Sequence, residues 1–165
     1  KELSNKDVRD FLVENSLFGY RTASITFGLF YENELVMVYS FGNNYYGRNG
    51  DTEIIRVCTK KNTQVIGGSS KCLKQYIDKY GNDGDALIFY VDAIHHNGNS
   101  MNKDGFEFIR HEYGLMNYYI THERYGETFN RSPGRNDEVK ELLKKNEIIC
   151  VLTNGVDVYK KIIRK

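Results

Sequence analysis

The sequence predicts an α+β (α/β) protein in which a central mixed, mostly antiparallel sheet is flanked by helices. Three observations support this prediction: several β-rich runs with alternating apolar residues, two amphipathic helical stripes, and the continuous apolar run from Ala86 to Val91. A run of the last kind is typical of a strand that is buried on both faces of a sheet. The 13 tyrosines and the single proline also favour a Tyr-rich sheet over a loop-dominated protein.

The length and composition fit one globular domain, because 165 residues with 40% hydrophobic content can bury a sizeable core. Within it we expect a core over 1–122, a basic loop over 123–136, and a terminal helix and β-hairpin over 137–165. The net charge of +1 does not call for a nucleic-acid or membrane partner. The three cysteines lack C-x-x-C spacing and are typical of reduced core thiols, and no apolar run approaches ~20 residues. We therefore expect a cytoplasmic protein.

The elements follow in a clear order along the chain. Ser4 or Asn5 is placed to cap a first helix, with too few residues before it for a strand. Two β-rich runs then flank Glu32-Asn33, which is typical of an antiparallel hairpin. The remaining prediction is strand 52–59, a helix ending near Tyr80, strand 86–91, a short helix, two strands over 106–112 and 116–122, and the terminal helix and hairpin around Asn154-Gly155.

The segment between the third predicted strand and its helix has the composition of an anion-binding turn. Two glycines and two small hydroxyl residues at a helix start let backbone N–H groups approach a ligand and direct the positive end of the helix dipole at it. We predict a phosphate or pyrophosphate cradle here; the alternative is a plain connection capped by Ser69 or Ser70. Its residues are Gln64, Val65, Ile66, Gly67, Gly68, Ser69, Ser70 and Lys71.

This turn resembles the acyl-CoA pyrophosphate loop of the GNAT N-acyltransferase family, Q/R-x-x-G-x-G/A, with Gln64, Gly67 and Ser69 at those positions. It matches neither the P-loop nor the dinucleotide fingerprint. The later strand, short helix and Gly105-Phe106 are similar to the second GNAT motif. The resemblance implies a GNAT-like fold and acetyl-CoA or another acyl-CoA as cofactor. Met101 stands where many members carry a tyrosine that acts as general acid.

A narrower resemblance covers nearly the whole chain. The stretch EIIRVCTKKNTQVIGGSSKCLKQYI, the segment YVDAIHHNG and the terminal NGVDVY look like the C-terminal domain of phage homing endonucleases, and the R-x-C pattern is similar to the GNAT-like phage DNA-modification protein Mom. This resemblance implies DNA as a partner, a larger endonuclease chain, and a host-cell cytoplasmic location. Iron is implied by resemblance only. The nucleic-acid contacts that we predict are Lys71, Lys74, Arg124, Arg131 and Arg135.

Five residues are candidates for catalysis. Glu53 and Arg56 are three apart on a strand, so we expect them on opposite faces, with Arg56 as an anion contact and Glu53 as a base. The alternative is a structural ion pair with neighbouring strands. Asp92, His95 and His96 follow a strand end, where an open sheet presents reacting groups.

The histidine spacing indicates no dedicated zinc site, although the cluster that begins at Asp92 leaves a transition metal such as iron as an alternative. Three functions therefore stay open. They are an acyl-CoA-dependent N-acyltransferase or a DNA base-modifying transferase, a non-catalytic DNA-binding accessory domain, and a structural domain with an empty cradle.

Overall fold

The computed structural model describes residues 1–16, 18–44, 50–93, 99–113, 117–121, 137–152 and 154–165. Thirteen elements lie in these ranges. The helices are α1 (Asn5–Asn15), α2 (Gly68–Tyr80), α3 (Asn99–Lys103) and α4 (Asp137–Lys144). The strands are β1 (Glu2–Leu3), β2 (Ile25–Tyr31), β3 (Glu34–Asn43), β4 (Thr52–Thr59), β5 (Ala86–Asp92), β6 (Glu107–Glu112), β7 (Asn117–Thr121), β8 (Ile148–Leu152) and β9 (Val156–Ile162).

Seven strands form one mixed sheet in the order β1-β2-β3-β4-β5-β9-β6. The β4–β5 pair is parallel, and the other pairs are antiparallel. The predicted sheet class is therefore confirmed. The strand thought too short to form is present, since β1 pairs with β2 ahead of α1.

Local sequence explains the first helix and the first hairpin. The Ser4 side chain accepts a hydrogen bond from the Asp7 backbone N–H while the Asp7 carboxylate accepts one from the Ser4 N–H, which is a capping box. Glu32 and Asn33 join β2 to β3 with φ of +49° and +66°. Positive φ at both central residues is the geometry of the tight hairpin turn that matches strand twist. Both predictions are confirmed.

The sheet separates two apolar layers. On one face, α2 buries Cys72, Leu73 and Tyr76 against strand residues such as Phe41 and Ile54. The phenol ring of Tyr76 stacks on Phe41 with ring centroids 3.9 Å apart. On the other face, α1 buries a smaller cluster of four side chains. The helix after β4 thus packs on one face of the sheet and the first helix on the other. That smaller cluster consists of Val8, Leu12, Val38 and Cys58.

The C-terminal strands differ from the predicted hairpin. β8 pairs with β7 in a separate two-stranded sheet, whereas β9 lies between β5 and β6 in the main sheet. Gly155 does turn the chain, with φ of +91°. Inserting β9 between two strands buries Val156 and Val158 almost completely, which an isolated hairpin cannot do. Val156, Val158, Tyr159 and Ile163 are consequently part of the core.

Candidate functional site

A β-bulge interrupts β4 in the middle of the sheet. Ser40 of β3 lies opposite Arg56, and the next residue, Phe41, lies opposite Ile54, so Ile55 is an extra residue on β4. A bulge of this kind bends the strand and changes the direction of the residues that follow. β4 is therefore redirected at its midpoint.

Beyond this bulge, β4 and β5 separate. Their parallel pairing comprises Thr52 with Leu87, Glu53 with Ile88, and Ile54 with Phe89, and the described remainder of both strands continues without further pairs between them. The strands thus open toward their carboxyl ends. An extended ligand can pair with strand backbone along such an opening, because the two strands make no ladder with each other there. The Ile55 oxygen already accepts a hydrogen bond from Arg56 Nη1 at 2.7 Å.

Helix α2 begins over the carboxyl end of β4, because Gly68 packs against Met37, the cross-strand partner of Thr59. Its first turn is capped by backbone alone. Gly67 is the N-cap residue in the left-handed region, with φ of +70°, and no side chain caps the helix. The alternative of a connection capped by Ser69 or Ser70 is therefore not observed. The Gly68 and Lys71 N–H groups donate to the backbone oxygens of Val65 and Gly67. The turn therefore directs the N–H groups of Ser69 and Ser70 outward, with the positive end of the helix dipole.

The two glycines of this turn serve different purposes. A Cβ on Gly67 would meet no atom within 4 Å, so this residue faces open space. A Cβ on Gly68 would lie 2.5 Å from the Met37 sulfur and 2.8 Å from a Val65 methyl group. Gly68 is thus small because the core requires it, whereas Gly67 is needed for its positive φ.

The side chains around the turn are of mixed charge. The Ser70 hydroxyl donates to the Asp104 carboxylate at 2.5 Å, which places an acidic group beside the first turn of α2. Lys74, one turn further along, is paired with Asp78 at 2.7 Å. Lys71 and Lys74 both line a shallow groove of about 430 Å³ on the exposed face of α2. The turn therefore offers backbone donors with only modest positive charge from side chains.

Glu53 and Arg56 lie on the same face of the sheet, contrary to the prediction. Glu53 is buried and accepts a bond from Arg21 at 2.6 Å. Arg56 donates to the backbone oxygens of Phe18 and Gly19, both at 3.0 Å. Both therefore contact the connection between α1 and β2, because the extra residue at the bulge shifts the strand alternation by one. Their catalytic roles stay predictions.

The other predicted catalytic residues follow β5. Asp92 is its last residue and is 6% exposed. His95 and His96 lie outside the described residues, as do Arg124, Arg131 and Arg135. Within the described ranges, no three histidine, cysteine or acidic side chains are grouped so as to hold a metal ion. None of the described helices is long and apolar enough to cross a membrane.

Two described cysteines are core residues. Cys58 and Cys72 are buried free thiols, and burial raises the pKa of each to about 11. A thiol that remains protonated at neutral pH is a poor nucleophile. We therefore assign both side chains to packing.

Sequence reasoning missed one polar pair. His111 of β6 and Asp157 of β9 lie opposite each other, with Nδ1 and Oδ1 2.7 Å apart. The two residues are 46 positions apart along the chain. Only strand pairing brings them together, so no local motif signals the pair.

Comparison with solved structures identifies the fold. An acetyltransferase from Bacillus subtilis, solved in complex with CoA, superposes with a TM-score of 0.53 and 13% identity over 97% of this chain and 84% of its own. The IAA acetyltransferase from Bacillus cereus superposes with a TM-score of 0.59 and 10% identity over 99% and 97%. The chain has the GNAT acetyltransferase fold. No protein-family model matches the sequence, and neither does any curated protein.

Proposed function

We propose that this protein is an acyl-CoA-dependent N-acyltransferase. The observation that supports this best is the opening between β4 and β5, which begins at the bulge of Ile55 and lies beside the N-terminus of α2. An extended ligand arm can pair with strand backbone there, while its anionic end meets the helix dipole. A protein of this fold solved with CoA supports the choice of ligand.

The residues fit such a cofactor on structural grounds. Gly67 leaves open space in front of the first turn, and the turn has no side-chain cap to compete with a phosphate. The backbone from Gln64 to Ser70, with Lys71, would hold the pyrophosphate. Acyl-CoA supplies an activated thioester when bound. Asp104 is the one acidic side chain with a described contact to this turn, and its charge limits the affinity.

Titration calorimetry with acetyl-CoA tests the proposal, and Ser69→Asp is the informative variant. A carboxylate in the first turn stabilises the helix by about 0.3–1 kcal/mol while repelling a pyrophosphate at the same position. We expect the parent protein to bind and Ser69→Asp to bind at least about fivefold more weakly, the effect of roughly 1 kcal/mol of repulsion.

The matched control is Asn33→Asp at the exposed β2–β3 turn, which adds the same charge four residues along the hairpin from Leu29 and Met37, the residues that pack on Gly68. Four strand residues span roughly 13 Å, more than the Debye length at physiological salt, so this variant should bind like the parent. Asparagine and aspartate both tolerate the positive φ at this position. A parent protein without affinity for acetyl-CoA would refute the proposed function. If Ser69→Asp binds acetyl-CoA as tightly as the parent, the first turn of α2 does not hold the pyrophosphate.

As a second candidate we propose that the protein acts on or with DNA, as a base-modifying transferase or as an accessory domain of a larger phage endonuclease in the host cytoplasm. The exposed groove on α2 favours it, since Lys71, Lys74 and Lys79 all line that groove. Ion pairs of Lys74 with Asp78 and of Lys79 with Glu2 reduce its positive charge. Of the three lysines, only Lys71 has no described ion pair.

Duplex DNA binding, followed by fluorescence anisotropy at 50 and 200 mM salt, tests this candidate. A DNA-binding surface predicts a steep loss of affinity with salt, and Lys71→Gln should lower the slope of log K against log salt by about one. Arg9→Gln on α1 is the matched control, because Arg9 lies on the opposite face of the sheet. Absent or salt-independent binding would exclude this candidate.

A further inference from the structure

The His111–Asp157 pair has the geometry of an oriented polar dyad outside the cradle. The two side chains are 22% and 23% exposed, so a ligand can reach the pair. The ring of Tyr113, which is 80% exposed, meets the His111 ring edge to face at a centroid distance of 4.2 Å. The pair is thus open to solvent on one side and packed on the other.

The proton of the imidazole can be assigned from its surroundings. Nδ1 faces the Asp157 carboxylate, so it carries the proton and donates. Nε2 is buried and has no hydrogen-bond partner among the described residues. The Asp157 carboxylate is therefore the one described hydrogen-bond partner of the imidazole.

Asp157 lies one strand away from the opening between β4 and β5, since β9 pairs with the far edge of β5. Asp157 is the cross-strand partner of Val91, which lies two residues beyond the last β4–β5 pair. Cross-strand partners lie about 5 Å apart and project to the same face. Because Val91 packs in the core cluster beneath α2, Asp157 and the cradle lie on the same face of the sheet.

We infer that Asp157 binds the amine of the acceptor substrate and takes up its proton, with His111 as a positioning residue. This inference rests on the proposed acyltransferase function. The acceptor nitrogen forms a bond to the thioester carbonyl carbon, and the carbon–sulfur bond breaks. The bound ammonium gives its first proton to the Asp157 carboxylate before this attack. After the attack the nitrogen loses a second proton, which solvent carries to the departing CoA thiolate. A partly exposed carboxylate is suited to hold a cationic amine before this step.

Steady-state kinetics of the full chain test the inference. Acetyl-CoA is supplied with 1,4-diaminobutane, spermidine or lysine methyl ester, and released thiol is followed with a thiol-reactive dye. We expect Asp157→Asn to lower kcat/KM for the amine by about 100-fold, the usual contribution of a general base, while acetyl-CoA affinity stays within about twofold. His111→Gln should raise the amine KM with a smaller loss.

Glu112→Gln is the matched control, because Glu112 is the neighbour of His111 at the same sheet edge and projects to the opposite face. It should behave like the parent protein. An Asp157→Asn protein that binds acetyl-CoA and retains kcat/KM within about twofold would overturn the inference and leave the acyltransferase proposal intact. If none of the three amines is turned over, the NMR signal of the His111 ring tests whether they bind beside Asp157. A signal of the parent protein that none of the three amines changes would also overturn the inference.

Discussion

Replacing Gly68 with alanine should destabilise the fold without weakening ligand binding. The added Cβ would lie 2.5 Å from the Met37 sulfur, 2.8 Å from a Val65 methyl and 3.1 Å from a Leu29 methyl. Overpacking of this kind costs about 1–3 kcal/mol, against which alanine in a helix gains about 0.5–1 kcal/mol over glycine. The expected net loss lies between about 0 and 2.5 kcal/mol, with a central value of about 1 kcal/mol, or roughly 2–4 °C in Tm for a chain of this length.

Urea unfolding of a double-mutant cycle is the assay. Met37→Val shortens the side chain that the new methyl group meets, so combining it with Gly68→Ala should cost at least about 0.5 kcal/mol less than the sum of the single variants. Acetyl-CoA affinity of the folded Gly68→Ala protein should match that of the parent. Unchanged stability, or strict additivity in the cycle, would show that Gly68 does not pack as described.

Three other predictions follow from described contacts. Arg21→Met should lower the free energy of unfolding by about 2–4 kcal/mol, since it leaves the buried Glu53 without its cation, and adding Glu53→Gln should restore part of this in urea unfolding. The hydrogen bond from Lys79 lowers the pKa of the Glu2 carboxyl in the folded protein. Its contribution to the free energy of unfolding is therefore present above the pKa of Glu2 in the unfolded chain and is lost as pH falls through the pKa in the folded protein. Glu2→Gln should remove this pH-dependent loss in acid-unfolding curves. Cys72, whose pKa burial raises to about 11, should react with iodoacetamide only after unfolding, as checked by mass spectrometry of digests.

Local chemistry made most elements predictable. The capping box at Ser4, the turn at Glu32-Asn33 and the apolar run of β5 each depend on residues that are close in sequence, and the structure has all three. The place of β9 depends instead on which strand edge offers most burial. Its sequence suits a hairpin with β8 equally well, so alternation alone could not decide the pairing.

Only the part of the site that depends on residues close in sequence was predictable. The glycine turn and the start of α2 follow from composition, but the extra residue at Ile55 cannot be inferred from the alternation of β4. Regular alternation without the extra residue predicts Glu53 and Arg56 on opposite faces of the sheet, which is wrong. The His111–Asp157 contact likewise depends on pairing between strands that are distant in sequence, which no local motif records.

Hydrogen exchange with acetyl-CoA tests the central claim, that the ligand occupies the opening between β4 and β5 and the first turn of α2. At saturating acetyl-CoA, amides of residues 55–59 and of Ser69 and Ser70 should exchange more slowly, because strand and helix-end N–H groups there gain ligand partners. Amides of the β2–β3 turn should exchange at the same rate with and without ligand. Unchanged exchange in both segments, with binding established by calorimetry, would contradict the account.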